Sequence, residues 1–224
     1  MKRGLFLSFE GGEGSGKSLQ ARGLAQTLTE RGREVVLTRE PGGTAAGERI
    51  RDILLHAREI PLSPEAQVLL FSSARAQLVR EVIRPALEAG KIVIADRFFD
   101  STVVYQGHGH GVPLEAIRAV TALAVGTLVP HRTFLLDVPV EIGLARKSPD
   151  DRTRFETGFD VAFHRRVRNG FLAMAVAEPG RFAVLDATAP ADAVAARIER
   201  AVARLLRDVR AAGEPKRPVA RIQR

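Results

Sequence analysis

The chain has 224 residues, 45% of them hydrophobic and 27% charged, which is the composition of a globular protein with material for one substantial core. It has no cysteine, which excludes disulfides, thiolate metal sites and thiol nucleophiles, and no unbroken apolar run of about 18 residues marks a membrane span. Much of the net charge of +8 lies in the last stretch, where Arg207, Arg210, Lys216, Arg217, Arg221 and Arg224 stand against Asp208 and Glu214, so the basic excess reads as a solvated end rather than a nucleic-acid face.

The start, "MKRGLFLSFEGG", has the charge-then-apolar order of a signal peptide. Its apolar run is short, no small-residue cleavage site follows, and Glu10 interrupts it. It is expected to be a buried first strand of a cytoplasmic protein. From there, strand-like and helix-like patterns alternate. The runs "GLFLSF", "EVVLTR", "KIVIAD", "TFLLDV" and "RFAVLD" are nearly continuous in apolar residues, as strands covered on both faces should be. Helical stretches are expected at 17–31, 44–57, 64–89, 113–125, 139–147, 156–177 and 190–210, with Gly32, Gly90 and Gly180 where helices hand over to strands. This order predicts an α/β fold, a doubly wound five-stranded parallel sheet with helices on both faces. One domain is expected over 1–210, followed by a basic, disordered tail over 211–224. Two loops exceed the minimal scheme: "TREPGGTAAG" at 38–47 and the charge-dense "RKSPDDRTRFETG" at 146–158.

Between the first strand and the first helix, "GGEGSGKS" fits G-x-x-x-x-G-K-[ST] through Gly11, Gly16, Lys17 and Ser18, in the strand-then-helix context that this motif requires. Glycines let backbone N–H groups converge on phosphate oxygens, and the helix adds its positive dipole end. Lys17 is placed to reach the β and γ phosphates, and the Ser18 hydroxyl to bind Mg²⁺. The motif does not separate motor, GTPase, transporter subunit and small-molecule kinase, although no N-K-x-D guanine signature follows. Asp96 and Arg97 end the third apolar strand. There Asp96 would hold Mg²⁺ through water, or else cap the next helix, and Arg97 would face phosphates. Phe71 and Arg75 in "FSSAR" share a helical face, which suits a stacked base with a bonded edge, and equally a core ring beside a surface arginine.

"FLSFEGGEGSGKS", "REPGGT", "FSSAR" and "DRFFDSTVVYQG", in that order, resemble bacterial thymidylate kinase, a P-loop nucleoside monophosphate kinase. The resemblance covers nearly the whole chain before the tail. It implies Mg²⁺-dependent transfer of the γ-phosphoryl of ATP to dTMP, giving dTDP, a homodimer, and a mobile lid at about 146–158. It further implies that Gly11, Gly12, Glu13, Gly14, Ser15, Gly16, Lys17 and Ser18 wrap the ATP phosphates. Glu10 would lie near the acceptor sugar and phosphate, while Arg51 and Arg97 would clamp the acceptor phosphate. Phe71 would stack on thymine with Arg75 at the base edge, and Ser101 or Thr102, Tyr105 and Gln106 would read base and deoxyribose. "DATAPADAV" resembles the adenine-side loop. Some relatives carry an arginine within the P-loop. Here Gly12, Glu13, Gly14 and Ser15 occupy those positions, so Arg146, Lys147, Arg152 and Arg154 of the lid become the candidates to neutralise developing charge. Lys17, Glu10, Arg97, Arg152 and Arg154 are counted as catalytic, and Arg146 as ATP-binding.

Other readings are a kinase for a different pyrimidine nucleotide or nucleoside, and a regulatory or nucleic-acid-binding ATPase using the basic tail. His108 and His110 in "YQGHGHG" are too few for a metal site, and the resemblance implies a mobile glycine-rich loop there. Asp137 and Asp186, which end strands, read as helix or turn caps.

Overall fold

A computed structural model describes residues 4–57, 59–147 and 159–213. Five parallel strands, β1 (Leu5–Glu10), β2 (Val35–Arg39), β3 (Ile92–Asp96), β4 (Arg132–Asp137) and β5 (Phe182–Asp186), form one sheet in the order β2-β3-β1-β4-β5. β1 is central, and Phe9 is in register with Asp96 of β3 and with Phe134 of β4. The carboxyl ends of the three middle strands therefore lie close together. Because the chain winds to opposite sides of β1, the crevice beyond that strand is where ligands bind in such sheets.

Both faces of the sheet are covered, which explains the unbroken apolar runs. On one face Leu5, Leu7 and Phe9 pack with Leu24 and Leu28 of α1 (Lys17–Glu30) and with Val194, Ile198 and Val202 of α9 (Ala191–Gly213). On the other, Phe6, Val93 and Ala95 meet Leu78, Val79 and Ile83, while Leu135 and Phe182 meet Phe163, Val167 and Phe171 of α8 (Val161–Ala177). α9 runs through Gly213, past the expected end at 210.

Several helices differ in detail from the expected ones. The stretch from 44 is α2 (Ala45–Arg51), capped by Thr44 Oγ1, which accepts from the Gly47 N–H at 3.0 Å, and then a wider π-helical turn, Asp52–His56. The long helix over 64–89 is α3 (Pro64–Leu78), a π-helical turn (Val79–Ile83) and α4 (Arg84–Glu88). Pro85 lacks an N–H to give to the preceding turn, and widening the turn accommodates it. After β3 the chain stays helical through α5 (Phe99–Thr102) and the π-helical Val103–Gly109, and then enters α6 (Leu114–Val125). The loop expected to be mobile around His108 is therefore packed structure. A Cβ on Gly109 would stand 2.6 Å from the Phe163 ring, and one on Gly107 would stand 2.5 Å from Leu114. Glycine is kept there for close approach, not for looseness. α7 (Val140–Ala145) follows β4. Among the described residues no helix is long and apolar enough to cross a membrane.

Candidate active site

The turn from β1 into α1 presents backbone rather than side chains. Gly16, at the N-cap of α1, has φ 87°, and no side chain caps the first turn. Its N–H groups thus face the crevice as an anion site. Behind the loop, Gly14 and Gly143 of α7 meet backbone to backbone, and a Cβ on either would overlap the other segment's carbonyl. Lys17 Nζ donates to the Gly12 carbonyl at 2.6 Å and to Ser15 Oγ at 3.2 Å. Burial, and next Arg97, lower its pKa to about 8 against the pull of Glu13, Asp96 and Glu10. Ser18 donates its hydroxyl to Asp96 Oδ2. Asp96 does not cap α5, whose N-cap position is Phe98. A hydroxyl and a carboxylate meeting beside a phosphate-binding turn are hard oxygen donors that fit a divalent cation keeping its own waters.

Arg97 has φ 72°, a left-handed conformation that non-glycine residues rarely adopt and that clusters at functional sites. Its Nη1 donates to Ser101 Oγ at 2.9 Å and to the Gly11 carbonyl at 3.3 Å. Its Nη2 donates to Glu13 Oε1 at 3.1 Å and to the Tyr105 hydroxyl at 3.2 Å. Burial works against this charge, but Tyr105, Glu13, Glu10 and Asp96 hold it firmly protonated. Glu13 is likewise pushed up by burial, yet Arg97, Lys17 and the Tyr105 hydroxyl bring its pKa down to about 2. Glu10, beneath them, is fully buried and accepts from the Phe98 N–H at 2.7 Å and from Ser101 Oγ at 2.6 Å. Burial and the nearby Asp100 raise its pKa to about 7, against Arg97, Ser101 and the Phe98 N–H.

The cleft over these groups has a volume of about 810 Å³ and runs from Gly14–Ser18 past Arg51, Asp96 and Arg97 to Phe71, Arg75 and Gln106. At its far end Arg75 is 1% exposed. Its Nε donates to Glu40 Oε2 at 2.7 Å and its Nη2 to Thr102 Oγ1 at 3.0 Å. Arg75 Nη1 and Glu40 Oε1 find no partner among the described residues. Phe71 lines this end half-buried, so its packing and its exposure to the cleft coexist. Gln106 Nε2 donates to Gln67 Oε1 at 3.1 Å, and Arg51 Nη1 to the Pro41 carbonyl at 2.8 Å. At the opposite end Arg146 Nη1 donates to the Ala187 carbonyl at 2.9 Å.

Most residues singled out from the sequence line this one cleft, Ser101, Thr102 and Tyr105 among them. Glu10 does not line it and lies behind Ser101. Gly11 and Gly12 stand at the base of the turn, Gly11 bonded to Arg97 and Gly12 to Lys17. Arg152 and Arg154 lie outside the described residues. Sequence reading missed Glu40, Arg39 and Arg22, which also line the cleft. Glu40 lies in "REPGGT", where a glutamate followed by proline is the signal that the sequence carries for it. Asp137 is not a cap: it takes a two-pronged ion pair from Arg168 at 2.7 and 2.8 Å. Asp186 does hold its own turn, accepting from the Thr188 N–H at 2.9 Å and from the Thr188 hydroxyl at 2.6 Å. His110 packs against the rings of Phe159 and Phe163.

A phosphate-binding turn at the head of a central parallel strand, opening into a cleft with arginines midway and an aromatic far wall, defines a P-loop phosphotransferase with room for two ligands. The thymidylate kinase family model matches residues 9–198. The chain is 48% identical over 205 residues to the thymidylate kinase of Deinococcus radiodurans, covering 90% of this chain and 98% of that one. It is 46% identical over 202 residues to that of Dehalococcoides mccartyi, covering 90% and 97%. The crystal structure of thymidylate kinase from Ehrlichia chaffeensis superposes with a TM-score of 0.73 at 33% identity, covering 89% of this chain and 99% of that one. The chain belongs to the thymidylate kinase family.

Proposed function

We infer that the protein transfers the γ-phosphoryl group of ATP to dTMP, giving dTDP and ADP for dTTP synthesis. The observation that carries this reading is the continuity of the cleft from the Gly14–Ser18 turn to the Phe71–Arg75–Gln106 wall, with Arg51 and Arg97 between. A donor triphosphate on the turn and a nucleotide against the far wall then bring their phosphates together near Arg97. An oxygen of the acceptor phosphate attacks the γ-phosphorus in line, the bond from that phosphorus to the β–γ bridging oxygen breaks, and ADP leaves with the electron pair. Such transfers depend on positioning and charge neutralisation more than on covalent help from the protein.

In this reading Gly11 to Ser18 hold the ATP phosphates, with Lys17 on the β and γ groups, and Arg146 sits on the adenine side. Arg51 and Arg97 clamp the acceptor phosphate, because guanidinium donors match paired phosphate oxygens. Phe71 stacks on the base, Arg75 and Gln106 meet its polar edge, and Ser101, Thr102 and Tyr105 flank the sugar. Glu10 acts from beneath by fixing Ser101. Arg152 and Arg154 supply further positive charge over the phosphates. Mg²⁺ held by Ser18 and Asp96 would offset phosphate charge and align the transferring group. The protein works in the cytoplasm as a homodimer, and the exposed Leu69 and Leu123, on the mutually packed helices α3 and α6, support a second copy there.

An ADP-release assay with ATP and Mg²⁺ tests this, offering dTMP, dUMP, UMP, CMP and thymidine in parallel. Strong preference for dTMP is expected. ATP hydrolysis indifferent to every acceptor would leave the phosphate site standing and remove the acceptor reading.

A further inference from the structure

Arg181 precedes β5, is 9% exposed and does not line the cleft. Its guanidinium nevertheless gathers four elements. Nη1 donates to Asp100 Oδ2 at 2.6 Å and Nη2 to Asp100 Oδ1 at 2.9 Å, a two-pronged clasp on α5. Nε and Nη2 donate to Glu178 at 2.7 and 2.8 Å, at the end of α8. Nη1 also reaches Thr133 Oγ1 of β4 at 3.0 Å, and that hydroxyl bonds Ser8 Oγ of β1 at 2.9 Å. The rings of Phe99 and Phe182 flank the guanidinium at 5.4 and 4.4 Å.

α5 needs such a hold. It opens the short helical segment Phe99–Gly109 and has no side-chain cap of its own, and a helix of that length is marginal without tertiary contacts. On the cleft side it is held by Glu10 through Phe98 and Ser101. On the other side it is held by Arg181 through Asp100, which is fully buried. The residues that follow Asp100 are those that face the cleft: Ser101, Thr102 and, one turn on, Tyr105.

We propose that Arg181 is a positioning residue for the acceptor end of the cleft, setting the first turn of α5 through Asp100 and with it Ser101, Thr102 and Tyr105. Removing Arg181 leaves Asp100 buried without its cation, and a buried carboxylate in that state must either take a proton or draw its helix toward water. Burial already raises the pKa of Asp100, and Arg181 is the main group opposing this. The donor turn keeps its own contacts, Lys17 on Gly12 and Ser15 and the seat of Gly14 against Gly143, and is disturbed less, at the Tyr105–Glu13 contact.

The proposal rests on the acceptor reading of that end, so its test has one readout that needs no substrate. Tyr105 is the only tyrosine and the chain has no tryptophan, so tyrosine emission from ligand-free protein reports the surroundings of Tyr105, where its hydroxyl meets Glu13 and Arg97. In Arg181→Met that emission should change at native pH while circular dichroism stays folded. KM for dTMP should rise about tenfold or more, and KM for ATP by less than about twofold, as expected when one side of a buried ion pair is lost near one ligand only. Asp100→Asn combined with Arg181→Met should recover most of the lost stability, because no buried charge is left unpaired, but not the KM for dTMP, because the clasp on α5 is still missing. Should Arg181→Met not fold, Arg181→Lys keeps the charge, loses the two-pronged geometry, and should show the same split in weaker form. Unchanged emission, equal movement of both KM values, or a wild-type KM for dTMP in the double variant would overturn the proposal. Wild-type turnover of dTMP separately checks the acceptor reading, and the emission result stands whichever way that falls.

Discussion

Tyr105 donates its hydroxyl to Glu13 Oε1 at 2.6 Å, joining the helical segment after β3 to the phosphate-binding turn across 92 residues of sequence. Arg97 Nη2 reaches the same oxygen at 3.1 Å. The contact binds the two halves of the cleft together before any ligand arrives. Tyr105→Phe removes the donor and leaves Glu13 to Arg97. A loss of about 2 kcal/mol in urea unfolding is expected for a buried hydrogen bond to a charged group, with a several-fold rise in KM for dTMP.

Glu10 and Glu13 should tilt the pH dependence of stability in opposite directions. The folded pKa of Glu13, about 2, lies below its ordinary 4.5, so its contribution is present above pH 4.5 and is lost as pH falls toward 2. The folded pKa of Glu10, about 7, lies above 4.5, so the folded state binds the extra proton. Its contribution is full below pH 4.5 and is lost as pH rises to 7. Unfolding free energies measured from pH 3 to 8 should therefore show Glu10→Gln removing a decline of order 3 kcal/mol between pH 4.5 and 7. An identical slope in the variant and the wild type would refute this.

Arg75 and Glu40 form an ion pair in which the side chains are 1% and 4% exposed. Removing one partner from such a pair is far worse than removing both. Arg75→Met should destabilise by about 3–5 kcal/mol and abolish selectivity at the base edge. The double variant with Glu40→Gln should recover stability but not selectivity, as read by melting curves and by the acceptor panel.

Gly143 meets the carbonyl of Glu13 with no space for a Cβ, and both atoms in conflict are backbone. Gly143→Ala should push the phosphate-binding turn out of place, costing about 1–3 kcal/mol as overpacking does and raising KM for ATP more than KM for dTMP. The same substitution at Gly12, whose Cβ would meet nothing, is the control for folding.

Asp96 accepts the Ser18 hydroxyl at the cleft floor. Asp96→Asn keeps the shape and removes the charge. A fall in kcat of about 100-fold or more is expected, in the range seen when one preorganised electrostatic contact to a transition state is lost, together with a raised Mg²⁺ requirement in titrations and a KM for dTMP within a few-fold of wild type.

The fold was legible because its signals are local. Strands β1 to β5 are apolar on both faces, the chain returns through helices, and "GGEGSGKS" marks the turn after the first strand. The helix break at Asp52–His56 was not legible, since a π-helical turn leaves no pattern that periodicity separates from an α-helix, and for Val79–Ile83 the local signal was Pro85. The packed state of the "YQGHGHG" segment was hidden for a related reason. Glycine reads the same whether it serves looseness or close approach, and only the Phe163 ring beside Gly109 decides between them.

The sequence by itself determined the alternation of elements, the phosphate-binding turn with Lys17 and Ser18, and the placing of Asp96 and Arg97 at a strand's end, because each depends on residues near one another in the chain. Tertiary structure alone decided that Arg75 pairs with Glu40, 35 positions away, that Arg181 clasps Asp100 across 81, and that Gly143 seats against Gly14. Those pairings follow from which strand lies beside β1. That order is set by packing of both sheet faces over the whole chain, and no single stretch of residues records it.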